Sequence, residues 1–398
     1  MLAKPLRIGL YGVSGVGKSY LLDKLKQYLS SVVTLDGSTA INQVCEGGLS
    51  VFKKMQPQEK YNMRCESIAQ LDRQFSADNR HMIVSGHYSF LTSTGYEIAW
   101  TEADAEFYDL IIILQCSSEM HFQRCNLDHS RNRNFSQEQL DDWRDFEYNE
   151  LQAICAASAI PFYSLSVEEP MRLVLQQLIL LISDEVITAV ANDLARQFDS
   201  VILCDCDGTL NNDDILNYSI NSELSSEKIG NIFKRYGDYS PESFFAVSEY
   251  IDTLGRKNIV KNMLDNAGIL QPHTLIVNKL ASIRKINHTK GIKDALVLVS
   301  CGFPAGWNHP CLDSKFVLGG ASFKYFGCIL SNERKTKLAK LLRKQGVSVT
   351  SLGNSSSDFG MLENSDVAYF VYSNKIKTRH INFLNKINSI EFLCLKVS

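Results

Sequence analysis

Two stretches of this sequence set reactive side chains at the end of an apolar, strand-like run. Residues 201–210 read VILCDCDGTL, so Asp205 and Asp207 stand one residue apart, followed by Gly208, Thr209 and Leu210. On an extended strand tip residues i and i+2 point the same way, and two such carboxylates repel unless a cation or a reaction uses them. Asp205 can attack a phosphorus atom and form an aspartyl-phosphate. Asp207 can protonate the leaving alkoxide and later activate water. A Mg²⁺ ion bridging Asp205 and the phosphate offsets the repulsion. Gly208 permits the turn and Thr209 can steady it.

The second stretch, GVSGVGKS at residues 12–19, fits G-x-x-x-x-G-K-[ST] directly between a strand and a helix. Gly12, Gly15, Val16 and Gly17 supply a curled backbone whose N–H groups face a phosphate chain. Lys18 neutralises the β/γ oxygens, Ser19 can ligate Mg²⁺, and the helix N-terminus adds positive dipole. ATP is the expected ligand. Downstream, RCNLDHSRNR clusters Arg124, Arg131 and Arg133, which fits a closing segment that neutralises phosphates during transfer. Asp36, at the end of the second strand, can add a carboxylate to the same cleft. An Asp-Gly turn is an equal reading of it. His87 reads as a structural histidine.

Three later pieces accompany the paired carboxylates. ALVLVSCGF ends a strand in Ser300, whose hydroxyl can hold a phosphoryl oxygen beside the N–H groups of Cys301 and Gly302. NERKTKLAKLL opens a helix with Lys335 and Lys337, either able to compensate a charged pentacoordinate state. VTSLGNSSSDFGML places Asn354 and Asp358, oxygen donors suited to Mg²⁺, on one loop.

The first constellation resembles the adenylate-kinase-like family of nucleoside-monophosphate kinases over about residues 6–183, through GVSGVGKS, VSGHYSFLTSTGY and the R-x3-D-x2-R-x-R spacing. That resemblance implies that Arg124, Arg131 and Arg133 hold ATP and the transferring phosphate, and that Arg64 contacts the acceptor. Ser85 stands where the family often has an acid. The second constellation resembles the haloacid-dehalogenase superfamily, phosphoserine-phosphatase-like branch, from residue 199 to about 375, through DCDGTL, VSCGF and GNSSSDFGML. It implies Asp205 as nucleophile, Asp207 as acid/base, Ser300 as phosphate ligand and Lys335, with Lys337 close behind, as the charge-stabilising lysine. The implied metal site draws on Asp205, Asp207, Asp358 and Asn354, where Asn354 replaces the usual Asp.

The elements that must position these groups alternate. RIGLYG, VVTLDG, HMIVSG, DLIIILQC and IPFYSL read as buried strands separated by amphipathic helices, and the pattern reopens at SVILCDCDGTL. Such alternation predicts an α/β protein: two three-layer domains with mainly parallel sheets. The expected limits are residues 1–184 for the P-loop domain, 185–198 for a connecting helix, and 199–398 for the second domain, with a helical cap over about 211–290. Phe244, Phe245 and Tyr250, at helical spacing, read as core rather than cap lining.

The chain has 398 residues, 45% of them hydrophobic and 21% charged, with a net charge of −3. These values give no global reason to expect nucleic acid or an anionic membrane as partner. Eleven cysteines without a Cys-x-x-Cys pair fit a reducing compartment and no zinc site. The start shows no secretory signal, and LVLQQLILLI, read as the longest apolar stretch, is too short to span a bilayer. A cytoplasmic location follows. The expected function is bifunctional: an ATP-dependent kinase for a small, nucleotide-like molecule, and a Mg²⁺-dependent phosphomonoesterase acting on a small phosphorylated substrate. Nucleic-acid end repair, as in polynucleotide kinase-phosphatases, joins the same activities in the same order; the helical insert and the lack of a basic run with interleaved aromatics count against it. A nucleotide-sensing P-loop domain that gates the phosphatase is the third reading.

Overall fold

In the computed structural model, residues 4–127, 135–210, 226–237, 239–253, 271–302, 307, 309–320, 322–373, 376, 378–387 and 390–394 are described. The chain divides into two compact units, Pro5–Leu178 and one built on Ile179–Ser398.

The first unit carries strands β1 (Arg7–Tyr11), β2 (Val32–Asp36), β3 (His81–Ser85), β4 (Ser89–Thr92), β5 (Gly95–Ile98), β6 (Leu110–Gln115) and β7 (Phe162–Ser166). Five of them form one sheet in the order β2-β3-β1-β6-β7, every pair parallel. Parallel strands covered on both faces must be apolar throughout; Leu110 to Leu114 are at most 1% exposed. β4 and β5 form a separate antiparallel hairpin. The chain leaves β1 in one direction across the sheet and returns to β6 on its other side. That reversal opens a crevice at the C-terminal ends of the central strands, and residues 12–19 lie there.

The second unit carries β8 (Ser200–Cys204), β9 (Asp294–Ser300), β10 (Phe316–Gly319), β11 (Ser348–Gly353), β12 (Val367–Tyr372) and β13 (Ile390–Cys394). Their order is β10-β9-β8-β11-β12-β13, again wholly parallel. β8 is central, flanked by β9 and β11. Asp205, Ser300 and the Asn354–Asp358 loop therefore emerge side by side. Leu203 and Cys204 on β8 are 0% exposed, as expected of a strand sandwiched between layers.

The connecting segment expected over residues 185–198 continues a longer helix, which runs unbroken over Met171–Gln197, because the stretch contains neither Gly nor Pro. Its residues up to Leu178 belong to the first unit and those from Ile179 to the second. This helix is also 27 residues long and apolar enough, by length and composition, to cross a membrane, contrary to the short stretch read from sequence. Ile182, Val186, Ile187, Val190 and Leu194 along it are nevertheless 0% exposed inside the protein, as in a core helix. Of the expected cap, residues 211–225 and 254–270 lie outside the described residues; helices Ser226–Arg235, Pro241–Thr253 and Thr274–Thr289 fall within it. Phe244 and Phe245 are buried, and Tyr250 packs against the core.

Candidate active sites

At the C-terminal ends of β8 and β11 two carboxylates, Asp205 and Asp358, share one ammonium group, while Asp207 bonds Ser300 at the end of β9. Asp205 follows β8, and its N–H donates to Leu352 O of β11 at 3.0 Å, which fixes the strand tip. Lys335 Nζ donates to Asp205 Oδ1 and to Asp358 Oδ1, both at 2.7 Å. Thr209 Oγ1 donates to Asp205 Oδ2 at 2.7 Å. The second oxygen of Asp358 accepts from the N–H groups of Asn354 and Ser355 and from Ser355 Oγ, each at 3.1 Å. Asp207 accepts from Ser300 Oγ at 3.0 Å, and that hydroxyl accepts from Gly302 N–H at 3.0 Å.

The helix Asn332–Lys344 decides between the two lysines. Ser331 caps it, and its buried face is Arg334, Lys335, Leu338, Ala339 and Leu342, the i, i+3, i+4 rows of one stripe. Lys335 is therefore 0% exposed and aimed at Asp205, whereas Lys337 turns to Asp184, donating to its backbone O at 2.9 Å. Arg334 also reaches Asp184, through two hydrogen bonds of 3.1 Å. Burial, then the charge of Asp358, push the Asp205 carboxyl up to about 6 against the opposing pull of Lys335. Burial alone would lower Lys335, but the two carboxylates more than reverse it and hold the ammonium form. Lys335→Met should therefore destabilise the fold by about 3 kcal/mol or more, since it strands two buried anions. Lys337→Met should cost less than about 1 kcal/mol. Urea unfolding at pH 7 compares them.

Glycine is demanded at two points. Gly208 has φ +77°, and a Cβ there would lie 2.1 Å from Asn354 Nδ2, so the turn lets the Asn354 side chain close on Asp207's loop. A Cβ at Gly302 would lie 2.8 Å from Asp207 Oδ2.

The residues offered for a cation are hard oxygen donors: Asp205, Asp358 and the Asn354 amide. They suit Mg²⁺ by chemistry, and the two aspartates already share one cationic atom, Lys335 Nζ. Asp207 is turned to Ser300 instead. Among the described residues no three His, Cys, Asp or Glu side chains converge as a ready-made metal cage.

In the first unit Gly12, Gly15 and Gly17 have φ of +133°, +98° and +115°, the left-handed region that lets the loop curl. Lys18, at the start of helix Lys18–Tyr28, is 8% exposed. Its Nζ donates to Gly12 O, to Val13 O at 3.3 Å, and stands 3.5 Å from His87 Nδ1. Arg124 Nη1 donates to Val16 O at 2.6 Å, so this arginine already lies on the loop. Ser19 is exposed at the same helix start. Arg131 and Arg133 lie outside the described residues.

A cavity of about 680 Å³ opens beside the loop, lined among others by Gly15, Lys18, Asp36, Arg64, Ser85 and His87. Asp36 caps helix Gly37–Val44, accepting from Ser38 N–H at 2.9 Å, and its other oxygen accepts from Ser85 Oγ at 3.1 Å. The two residues are register partners on β2 and β3. The cleft thus keeps a carboxylate where β3 itself offers only a serine. Arg64 pairs with Glu97 at 2.8 Å and bonds Ile98 O at 3.1 Å. Lys60 also reaches Glu97, at 3.2 Å. Sequence reasoning missed Glu97, whose place on the hairpin has no motif to mark it.

Residues 11–142 match a family model described as an AAA domain. None of the curated proteins compared with the chain is significantly similar to it. Among solved structures, the chain is similar to a phospho-aspartyl intermediate analogue of phosphoserine phosphatase, at 14% identity over 50% of this chain and 94% of that one, with a TM-score of 0.35. It is also similar to shikimate kinase from Bacteroides thetaiotaomicron, at 16% identity over 44% and 97%, TM-score 0.30. A Pnkp1/Rnl/Hen1 complex matches at 12% identity over 100% and 99%, TM-score 0.24. At such values the nature of each unit rests on strand order, phosphate loop and site residues. The chain is an α/β protein of two units with parallel main sheets, the first of which carries the GVSGVGKS loop and the match to the AAA domain model.

Proposed function

We propose that the protein is a two-site enzyme: an ATP-dependent kinase for a small, nucleotide-like acceptor, and a phosphomonoesterase that works through an aspartyl-phosphate on Asp205. The observation that carries the phosphatase half is the buried Lys335 ammonium shared by Asp205 and Asp358 at adjacent strand ends. No such cost in desolvation is needed for stability alone.

At the second site Thr209 and Lys335 hold the two Asp205 oxygens, which orients the carboxylate for in-line attack. The Asp205–phosphorus bond forms as the ester P–O bond breaks, and Asp207 donates its proton to the leaving alkoxide. Asp207, then a carboxylate, takes a proton from water, which attacks phosphorus and releases phosphate and free Asp205. Ser300, itself held by the Gly302 N–H, keeps Asp207 in place, and Ser300 turns to the phosphoryl oxygens once Asp207 is protonated. Asp205, Asp358 and Asn354 would hold Mg²⁺, which supplies charge neutralisation at the phosphoryl group.

At the first site the loop N–H groups and Lys18 would hold the ATP phosphates, and Ser19 would be the Mg²⁺ ligand. Arg124 supplies further positive charge, joined by Arg131 and Arg133. Asp36, in the lining of the same cavity, would accept the proton of the acceptor hydroxyl. Eleven free thiols fit a cytoplasmic setting.

A phosphate-release screen over small phosphomonoesters and 3′-phosphorylated oligonucleotides, with labelled ATP and candidate acceptors, tests the reading. Release and transfer on small molecules are the expected result. Preference for oligonucleotides would replace it with nucleic-acid end repair, and ATP-stimulated release without transfer would make the first domain a regulator.

A further inference from the structure

Glu147 sits on helix Gln137–Ala157 and is 0% exposed. Its neighbours along the stripe are Leu140, Trp143, Leu151 and Cys155, all buried. A carboxylate in such company is costly unless donors surround it, and donors do. Gly12 N–H donates to Oε1 at 3.1 Å, while Ser89 N–H and Ser89 Oγ lie 3.4 Å from Oε2. One turn earlier, the Trp143 indole N–H donates to the same Ser89 Oγ at 3.0 Å, which leaves that hydroxyl's own proton for Glu147. Burial raises the Glu147 carboxyl, and the Lys18 charge opposes the rise.

The partners belong to two elements that both reach the cavity, the loop through Gly15 and Lys18 and the hairpin through Phe90 and Glu97. Gly12 opens the phosphate loop. Ser89 begins the β4–β5 hairpin, whose Phe90 and Glu97 line the acceptor side. We infer that Glu147 is a positioning residue for phosphoryl transfer: one buried acceptor ties the first N–H of the phosphate loop and the root of the hairpin to a single helix face. The distance between Lys18 and the acceptor wall is set through that tie. The inference rests on the kinase reading of this site.

The test ranks two variants against each other. Glu147→Gln keeps the shape but removes the charge and turns an amide donor toward the donors of Ser89. Glu147→Asp keeps the charge and both acceptor oxygens but leaves a packing gap. A positioning role through the carboxylate predicts that Gln lowers kcat for ATP-dependent transfer by about 30- to 100-fold, and that Asp keeps several-fold more activity than Gln although it packs worse. Phosphate release at the second site, read on the same preparations, stays unchanged and reports folded protein. A merely structural role predicts the opposite order, Gln above Asp, or a lower melting temperature with kcat intact; either overturns the inference. Calorimetry with ADP on the wild type separates the two levels. Wild type that neither binds ADP nor transfers phosphate defeats the kinase reading, and the inference falls with it. Wild type that does both, with Gln equal to or above Asp, defeats the inference alone.

Discussion

If the proposed mechanism holds, Asp205→Asn should lower phosphate release from a phosphomonoester by at least about 10³-fold and leave the chain as stable as the wild type or more so at pH 7. The first half follows from chemistry: an amide oxygen is a far poorer nucleophile than a carboxylate. The second half follows from the charges around Lys335. Wild type buries one ammonium between two carboxylates; the variant leaves Lys335 and Asp358 as a neutral pair, and the new amide oxygen still accepts from Lys335 or Thr209. The pH dependence carries the same sign. The Asp205 carboxyl is raised from 3.8 to about 6 in the fold. Its contribution to stability is full below the unfolded value and is lost as pH rises through about 6. The wild type should therefore lose stability across that window relative to Asp205→Asn. Melting curves at pH 4 and pH 7, in the absence of divalent cations, check it. A variant that melted much lower at pH 7 would mean that inactivity reports unfolding.

On the same reading, Lys18→Ala should lower ATP-dependent transfer by on the order of 10²–10³-fold while leaving phosphate release at the second site in place. The buried ammonium of Lys18 lies against the loop carbonyls of Gly12 and Val13 and beside His87. A triphosphate in the cradle gains its charge at the oxygens that must leave. Undiminished transfer by Lys18→Ala would remove the phosphate-loop assignment. Equal loss of both activities, with an unchanged melting temperature, would show that the two sites are coupled.

The legible parts of the sequence were those where chemistry needs a fixed spacing. GVSGVGKS and DCDGTL announced their strand ends because an apolar run stops there at turn-forming glycines and polar residues. The parallel sheets followed from strands with no polar face. Helical phase was the harder matter: Lys335 and Lys337 differ by two positions, and only packing of Leu338 and Leu342 on the buried stripe separates them. The helix Met171–Gln197 runs through the expected connector, and its Asp184 meets Arg334, a pairing across 150 positions that no local pattern marks. Asp36 and Ser85 lie 49 positions apart in sequence, and their pairing depends on sheet register, which short-range pattern does not encode. Glu147 did leave a trace, an acid in the stripe Leu140, Trp143, Leu151, Cys155. It was hidden among the acids of DDWRDFEYNE.

The most direct test of the account is the site of the covalent intermediate. Asp207→Asn leaves the nucleophile, Lys335 and Thr209 untouched but removes both the proton donor and the base that activates water. With p-nitrophenyl phosphate the leaving group needs little protonation, so attack proceeds while hydrolysis stalls. Rapid quenching followed by intact-mass and peptide analysis should find one phosphoryl group, on Asp205, and none in Asp205→Asn. A phosphoryl group on another residue, or normal turnover by clean Asp205→Asn protein, would contradict the aspartyl-phosphate mechanism.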